Sequence, residues 1–231
     1  MSVITARGKA AKESANKKGS QIDFKKVYIR LKDGDSVRVR LLSAEDYVEY
    51  KAHGDFGLGI FTQPCVEPLG QKCALCEAAN AGLEKFKALY PRKRYLFAMA
   101  DIDDGSVRVF DATKGQATGL IDTIEQYAED IGETAFIFKR TGSKTETNYA
   151  LNPILKLKPE DKERFAKFDG QVVEDEFFDA VLAPRTREQQ IEELARAGFP
   201  VDQFFNETPA APQEDGSKPI EDDGTDPDSV F

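Results

Sequence analysis

The chain has 231 residues, 40% hydrophobic and 32% charged, with a formal net charge of −9. That length buries one sizeable core or two small ones. No apolar run approaches the roughly 18 residues that cross a bilayer, and the first 20 residues are charged and Ala/Ser-rich without an apolar signal core, so membrane and secretory classes are set aside. Three cysteines, two of them in a Cys-x-x-Cys pair, do not make a disulfide framework and point to a reducing compartment and a metal.

The charge is unevenly spread. Residues 1–20 carry five basic side chains against one acid, whereas residues 207–231 carry eight acids against one lysine. A basic arm opposite an acidic tail is a mark of nucleic-acid proteins and also of ordinary solubilising ends. The arm, 1–21, holds Lys9, Lys12, Lys17 and Lys18 among small polar residues and is expected to be mobile.

From Ile22 the pattern becomes that of a fold. Asp35 to Leu42 alternates strictly, with Val37, Val39 and Leu41 on one face and Arg38 and Arg40 on the other, which predicts a half-buried strand with a basic outer face. Tyr47–Tyr50 and Phe56–Phe61 read as further short strands. After a turn-rich stretch, Leu75, Ala79, Leu83, Phe86 and Tyr90 recur at helical spacing and predict one helix stopped by Pro91. Tyr95–Ala100 and Ser106–Asp111 flank Asp103-Asp104-Gly105 as a hairpin. Leu120, Ile124, Tyr127 and Ile131 mark a second helix ended by Gly132, and Ala135–Arg140 pairs with Glu146–Leu151 across Gly142.

About six short strands with two inserted helices, in an order without βαβ repeats, predict a mainly β (α+β) fold, an antiparallel barrel that is closed or partly open. Thr186 and Gln189 form a capping-box pattern for a helix carrying Ile191 and Leu194. The domain reading is a core over 22–155 with a metal subdomain at about 53–90, a helical extension over 156–206, and a disordered acidic tail over 207–231 whose four prolines and eight acids cannot offset the entropy of ordering.

His53, Cys65, Cys73 and Cys76 are every cysteine and the only histidine in the chain. One imidazole and three thiolates make the ligand set of a closed structural zinc site, one zinc per chain, and a Cys-x-x-Cys knuckle at a helix start favours thiolate. A catalytic zinc of the nucleic-acid deaminase type needs Glu two residues after His and Pro before the cysteine pair. Asp55 and Lys72 stand there instead, and Cys65 supplies a fourth ligand. No phosphate-binding loop or Ser-His-Asp set occurs, so the protein is read as no enzyme.

Single-stranded nucleic acid is held by cations along its phosphates and by aromatic faces under its bases. Arg38, Arg40, Tyr47, Tyr50, Phe56, Arg92, Lys93, Arg94, Tyr95, Phe97, Arg108, Phe110, Phe138, Lys139, Arg140 and Tyr149 all fall on or beside the predicted strands. Phe110 shares a face with Arg108 and Phe138 with Arg140, and these residues are the candidate DNA-binding set. The competing reading makes the phenylalanines core and the arginines ordinary surface.

Taken together, His53 through Cys76 resembles the zinc subdomain of the T-even bacteriophage single-stranded DNA-binding, or helix-destabilising, proteins, where His, Cys and Cys-x-x-Cys follow in this order within an OB-fold. The arm, core and acidic tail are laid out similarly. The resemblance implies an OB-fold-like barrel that coats and protects single-stranded DNA and melts secondary structure in replication, recombination and repair, in the cytoplasm of an infected bacterium. It further implies self-association through the arm and recruitment of replication and recombination proteins by the tail, where Asp226, Asp228 and Phe231 would meet the partner. The alternatives are a zinc-dependent nucleic-acid-modifying enzyme and a zinc-stapled adaptor whose tail mimics DNA.

Overall fold

The computed structural model describes residues 22–205. The expected arm over 1–21 and tail over 207–231, with Asp226, Asp228 and Phe231, lie outside the described residues. Seven strands, β1 (Ser36–Arg40), β2 (Tyr47–Asp55), β3 (Ile60–Pro64), β4 (Arg92–Asp101), β5 (Ser106–Thr113), β6 (Ala135–Thr141) and β7 (Asn148–Pro153), form one antiparallel sheet. Its order is β3-β2-β4-β1-β6-β7, with β5 on the other side of β4. Along one edge β4 takes two partners in turn: Tyr47–Ala52 of β2 lie opposite Phe97–Arg92, and Val39 and Arg40 of β1 lie opposite Asp101 and Ala100. Among the described residues no ladder joins β5 to β7, so the sheet is open.

Seven α-helices accompany the sheet among the described residues: α1 (Phe24–Val27), α2 (Ala74–Asn80), α3 (Lys114–Gln126), α4 (Pro159–Ala166), α5 (Asp175–Leu182), α6 (Arg187–Arg196) and α7 (Val201–Phe204). None is long and apolar enough to cross a membrane. Both α3 and α6 begin with full capping boxes, Thr113 with Gln116 and Thr186 with Gln189, which satisfy two first-turn donors each. The predicted alternation of β1 holds: Val39 and Leu41 enter the main core with Phe97, Phe110, Leu120, Phe136, Phe138 and Tyr149. A second cluster, Leu96, Ala98 and Val109, is covered on the opposite sheet face by Val27 of α1 and by Phe178 and Val181 of α5. A third surrounds the cysteines and includes Leu194, Phe199 and Phe205 from the C-terminal helices.

Three predicted elements differ, the first being the helix expected to end at Gly132, which stops at Gln126 with Tyr127 as its C-cap. Phe56–Leu58 is a single 3₁₀ turn and not a strand, because Asp55 accepts a hydrogen bond from Leu58 N and Gly59 takes φ 68°. The single helix over 75–90 is two pieces, α2 and a 3₁₀ segment Glu84–Leu89. Gly82 sits between them at φ 78°, a left-handed conformation that an α-helix cannot continue through. Leu75, Ala79 and Phe86 of the predicted face enter the cysteine-lined cluster with Leu83 packed against it, whereas beyond the break Leu89 is buried and Tyr90 is exposed.

The loop between β1 and β2 carries an electrostatic cost. Asp46 holds Ala98 N with its backbone carbonyl at 2.9 Å, which fixes the crossing from β1 to β2, yet its Oδ2 is buried without a partner. Burial raises its carboxyl from 3.8 to about 6. Well below pH 3.8 the group is neutral in folded and unfolded chains alike. Between pH 4 and 6 the unfolded chain gives up its proton first, so stability falls as pH rises through this window. Asp46→Asn is therefore expected to stabilise the protein at pH 7.5 by about 1 kcal/mol, discounted because the group is only half-buried, and to change little at pH 4. Urea unfolding at the two pH values checks this; equal effects at both would show that titration is not the cause.

Candidate metal centre and the adjoining cleft

Three separate segments deliver the His/Cys cluster. His53 lies on β2, Cys65 directly follows β3, Cys73 is the N-cap of α2, and Cys76 lies in its first turn. Pairing of β2 with β3 places His53 opposite Gln63, and Cys65 N donates to Lys51 O at 2.8 Å, so the hairpin itself brings histidine and first cysteine together. Gly54 permits this: a Cβ there would meet the Thr62 backbone at 3.1 Å. All four ligands are buried, and their donor atoms lie within 4.8 Å of one another.

Three of these separations are close to the edges of a tetrahedral site. His53 Nε2 is 3.3 Å from Cys73 Sγ and 3.5 Å from Cys76 Sγ, and Cys65 Sγ is 3.5 Å from Cys76 Sγ. A tetrahedron with metal–sulfur bonds of about 2.3 Å and a metal–nitrogen bond of about 2.0 Å has edges of about 3.5–3.8 Å. His53 Nδ1 lies 2.6 Å from Leu89 O. In the tautomer that donates there, Nε2 is left as the ligand atom, the usual outer-shell arrangement for a metal-bound imidazole. Hydrogen bonds from Cys76 and then His53 pull the Cys73 thiol down to about 3. The Cys73 hydrogen bond and burial push Cys76 up, and burial pushes Cys65 up. The three directions disfavour ionising all three thiols together in a buried site, and a bound cation would offset that cost.

Beside this centre opens a cleft of about 830 Å³. One wall is the β2–β3 hairpin from Ala52 to Gly57, His53 included, and the other is Arg92, Lys93 and Arg94 of β4 with Thr113, Lys114 and Gly115 at the start of α3. Phe56 stands at its edge, 61% exposed. Lys93 pairs with Glu49 and Arg94 with Asp111, whereas Arg92 and Lys114 form no ion pair with described residues. Cations and an aromatic ring thus share one concave surface.

The other candidate DNA-binding residues are dispersed. Phe97, Phe110, Phe138 and Tyr149 are in the main core, where Phe110 packs 4.8 Å from Phe138 and 4.4 Å from Tyr149 between ring centroids. Arg140, on the same inward face, is buried and donates to Leu31 O at 2.7 Å. Arg38 is held by Asp103 and Asp161, and Arg40 by Asp169, Phe165 O and Gly132 O with its guanidinium 4.1 Å from the Phe165 ring. The expected basic face of β1 is therefore covered by α4 and the turn after it. Arg108 pairs with Asp101 and with the carbonyls of Lys26 and Tyr28. Tyr50 packs in the second cluster, and burial pushes its hydroxyl far up. Tyr47 stacks on Phe97 at 5.3 Å, Tyr95 donates to Glu49 at 2.7 Å, and Lys139 is exposed on β6. Of the candidate set, Arg92, Lys93, Arg94 and Phe56 gather in the cleft. Lys114 and the start of α3 complete the wall from outside that set, although Thr113-x-x-Gln116 is a legible helix start.

Comparison with protein-family models and with curated proteins finds no match to this chain.

Proposed function

We propose that the protein is a sequence-independent single-stranded DNA-binding protein, not an enzyme, with one structural zinc on His53, Cys65, Cys73 and Cys76. The strand would lie in the cleft between the β2–β3 hairpin and the β4–α3 wall. The observation that carries this reading is the joint placement of Arg92, Lys93, Arg94, Lys114 and the exposed Phe56 around one open cleft. Phosphate neutralisation and base stacking need those two residue types side by side.

The topology supports it. With β1 and β2 taken as one bent first strand, the run β1/β2, β4, β5, α3, β6, β7 follows the order of an OB-fold, whose strands two and three and the loop joining strands one and two are a common oligonucleotide surface. In that frame the metal-bearing insertion occupies that loop and the cleft lies between it and the second strand. Tyr149 of β7 reaching Phe110 of β5 is the side-chain approach expected where such a barrel nearly closes. Four buried protein ligands leave no open position for an activated water, which argues against a catalytic zinc. In this reading the acidic stretch ending in Asp226, Asp228 and Phe231 serves replication and recombination proteins, as in the T-even proteins the chain resembles.

Anisotropy titration with a labelled mixed-sequence oligonucleotide tests the proposal. The single strand should bind far more tightly than a duplex of equal length, lose affinity steeply with salt, and emerge chemically unchanged. No binding at low salt would leave the adaptor reading, and a deaminated or cleaved strand would leave the enzyme reading.

A further inference from the structure

The C-terminal helices are fastened to the metal centre at several independent points. Gln190 of α6 is fully buried, and its Oε1 accepts from Ala74 N at 2.9 Å, the first helical amide of α2, belonging to one of the two residues between the cysteines of the knuckle. Glu193, one turn on, is also buried and accepts from Gln63 Nε2 at 2.5 Å. Gln63 is the β3 residue opposite His53 and two before Cys65. Arg187 pairs with Glu77 in α2 at 2.8 Å, and Leu194, Phe199 and Phe205 fill the cluster that surrounds the cysteines. One short helix thus supports both the hairpin that carries His53 and Cys65 and the turn that carries Cys73 and Cys76.

We propose that α6 and residues 197–205 are the outer support of the metal centre, so that metal occupancy and docking of this segment form one coupled equilibrium. The inference rests on the metal reading above and deepens it. The polar groups of α6 that face the centre, Gln190 and Glu193, are buried only while α2 and β3 hold the positions that the ligands share. Undocking α6 would strip the acceptor from the buried Ala74 amide and leave Gln63 without Glu193. Loss of the metal removes the cross-link that keeps α2 and β3 at the separation α6 requires. Coupling of this kind is reciprocal: what tightens one site tightens the other by the same factor.

Two measurements on the full chain, reconstituted with zinc alone, test the coupling. Gln190→Leu should release zinc to a chromogenic chelator about tenfold faster than the unsubstituted protein, in the range seen for outer-shell partners. Glu192→Ala, on the exposed side of the same helix, should release it at the unaltered rate. Because leucine at 190 also alters the helix surface, the second measurement uses the unsubstituted protein: stripping the zinc should raise hydrogen exchange at α6 amides together with those of α2, while β6 stays protected. Equal zinc release from Gln190→Leu, or α6 protection that survives zinc removal while α2 loses its own, would overturn the coupling. A chain that takes up no zinc would overturn the metal reading itself.

Discussion

Cys76→Ser is expected to abolish metal binding and to destabilise the protein by more than about 4 kcal/mol, the range reserved for loss of a metal or a similarly central feature. Apart from α6 and residues 197–205, little else holds the 53–90 region together. Its regular structure is one short hairpin, the two turns of α2 and three 3₁₀ segments, none of which is stable alone. Its core is small and includes the three cysteines themselves. A structural zinc in a site of this kind contributes apparent binding energy of about 10–16 kcal/mol at neutral pH, part of which is folding energy. A serine hydroxyl at 76 cannot replace a thiolate, and it leaves Cys65 and Cys73 crowding a site short of one ligand. The loss should appear as a lowered unfolding midpoint and as zinc absent by elemental analysis. The effect should be local first, since the main core of β1, β4, β5, β6 and β7 does not contain the ligands. A Cys76→Ser protein with unchanged zinc content would remove this cysteine from the ligand set.

The His/Cys cluster is legible in the sequence because a metal site depends on residue type and rough spacing, and the chain has no other histidine or cysteine to confuse the pattern. Strands β1, β4, β5, β6 and β7 are legible from alternation and from turns such as Asp103-Asp104-Gly105, where Asp101 Oδ1 accepts from the amides of Asp103 and Asp104. Alternation does not say which face is interior. Phe138 and Arg140 share a face, as their spacing predicts, but that face points into the core, and Arg140 is accommodated there by the Leu31 carbonyl. Nor does local pattern reveal that a distant segment neutralises Arg38 and Arg40, because Asp161 and Asp169 lie more than 120 residues away in sequence. The capping box at Thr186 locates α6, yet only the tertiary structure shows that Gln190 caps α2.

The second large effect concerns the cleft. Removing the Arg92 or Lys114 charge should weaken single-strand binding and lower the salt slope by about 0.7 for each phosphate that is no longer neutralised. Phe56→Ala should cost about 1–3 kcal/mol of binding while leaving that slope in place, because a missing stacking platform releases no counterions. The three should differ little from the unsubstituted protein in stability, since all three side chains are exposed. Phe138→Ala should do the reverse, costing about 3–5 kcal/mol of folding stability through the cavity it leaves in the core. Titrations at several salt concentrations separate the electrostatic from the stacking contribution; a Phe56→Ala protein of normal affinity together with an Arg92→Ala/Lys114→Ala protein of normal slope would place the strand elsewhere.

The claim that the cleft beside the metal centre is the DNA-binding surface is tested most directly by hydrogen exchange of the zinc-loaded chain with and without a saturating single-stranded oligonucleotide. Protection is expected at 54–57 of the hairpin, 92–94 of β4 and 113–115 at the start of α3, the three segments that line the cleft. Protection confined to other surfaces, with those three segments exchanging as in the free protein, would contradict it.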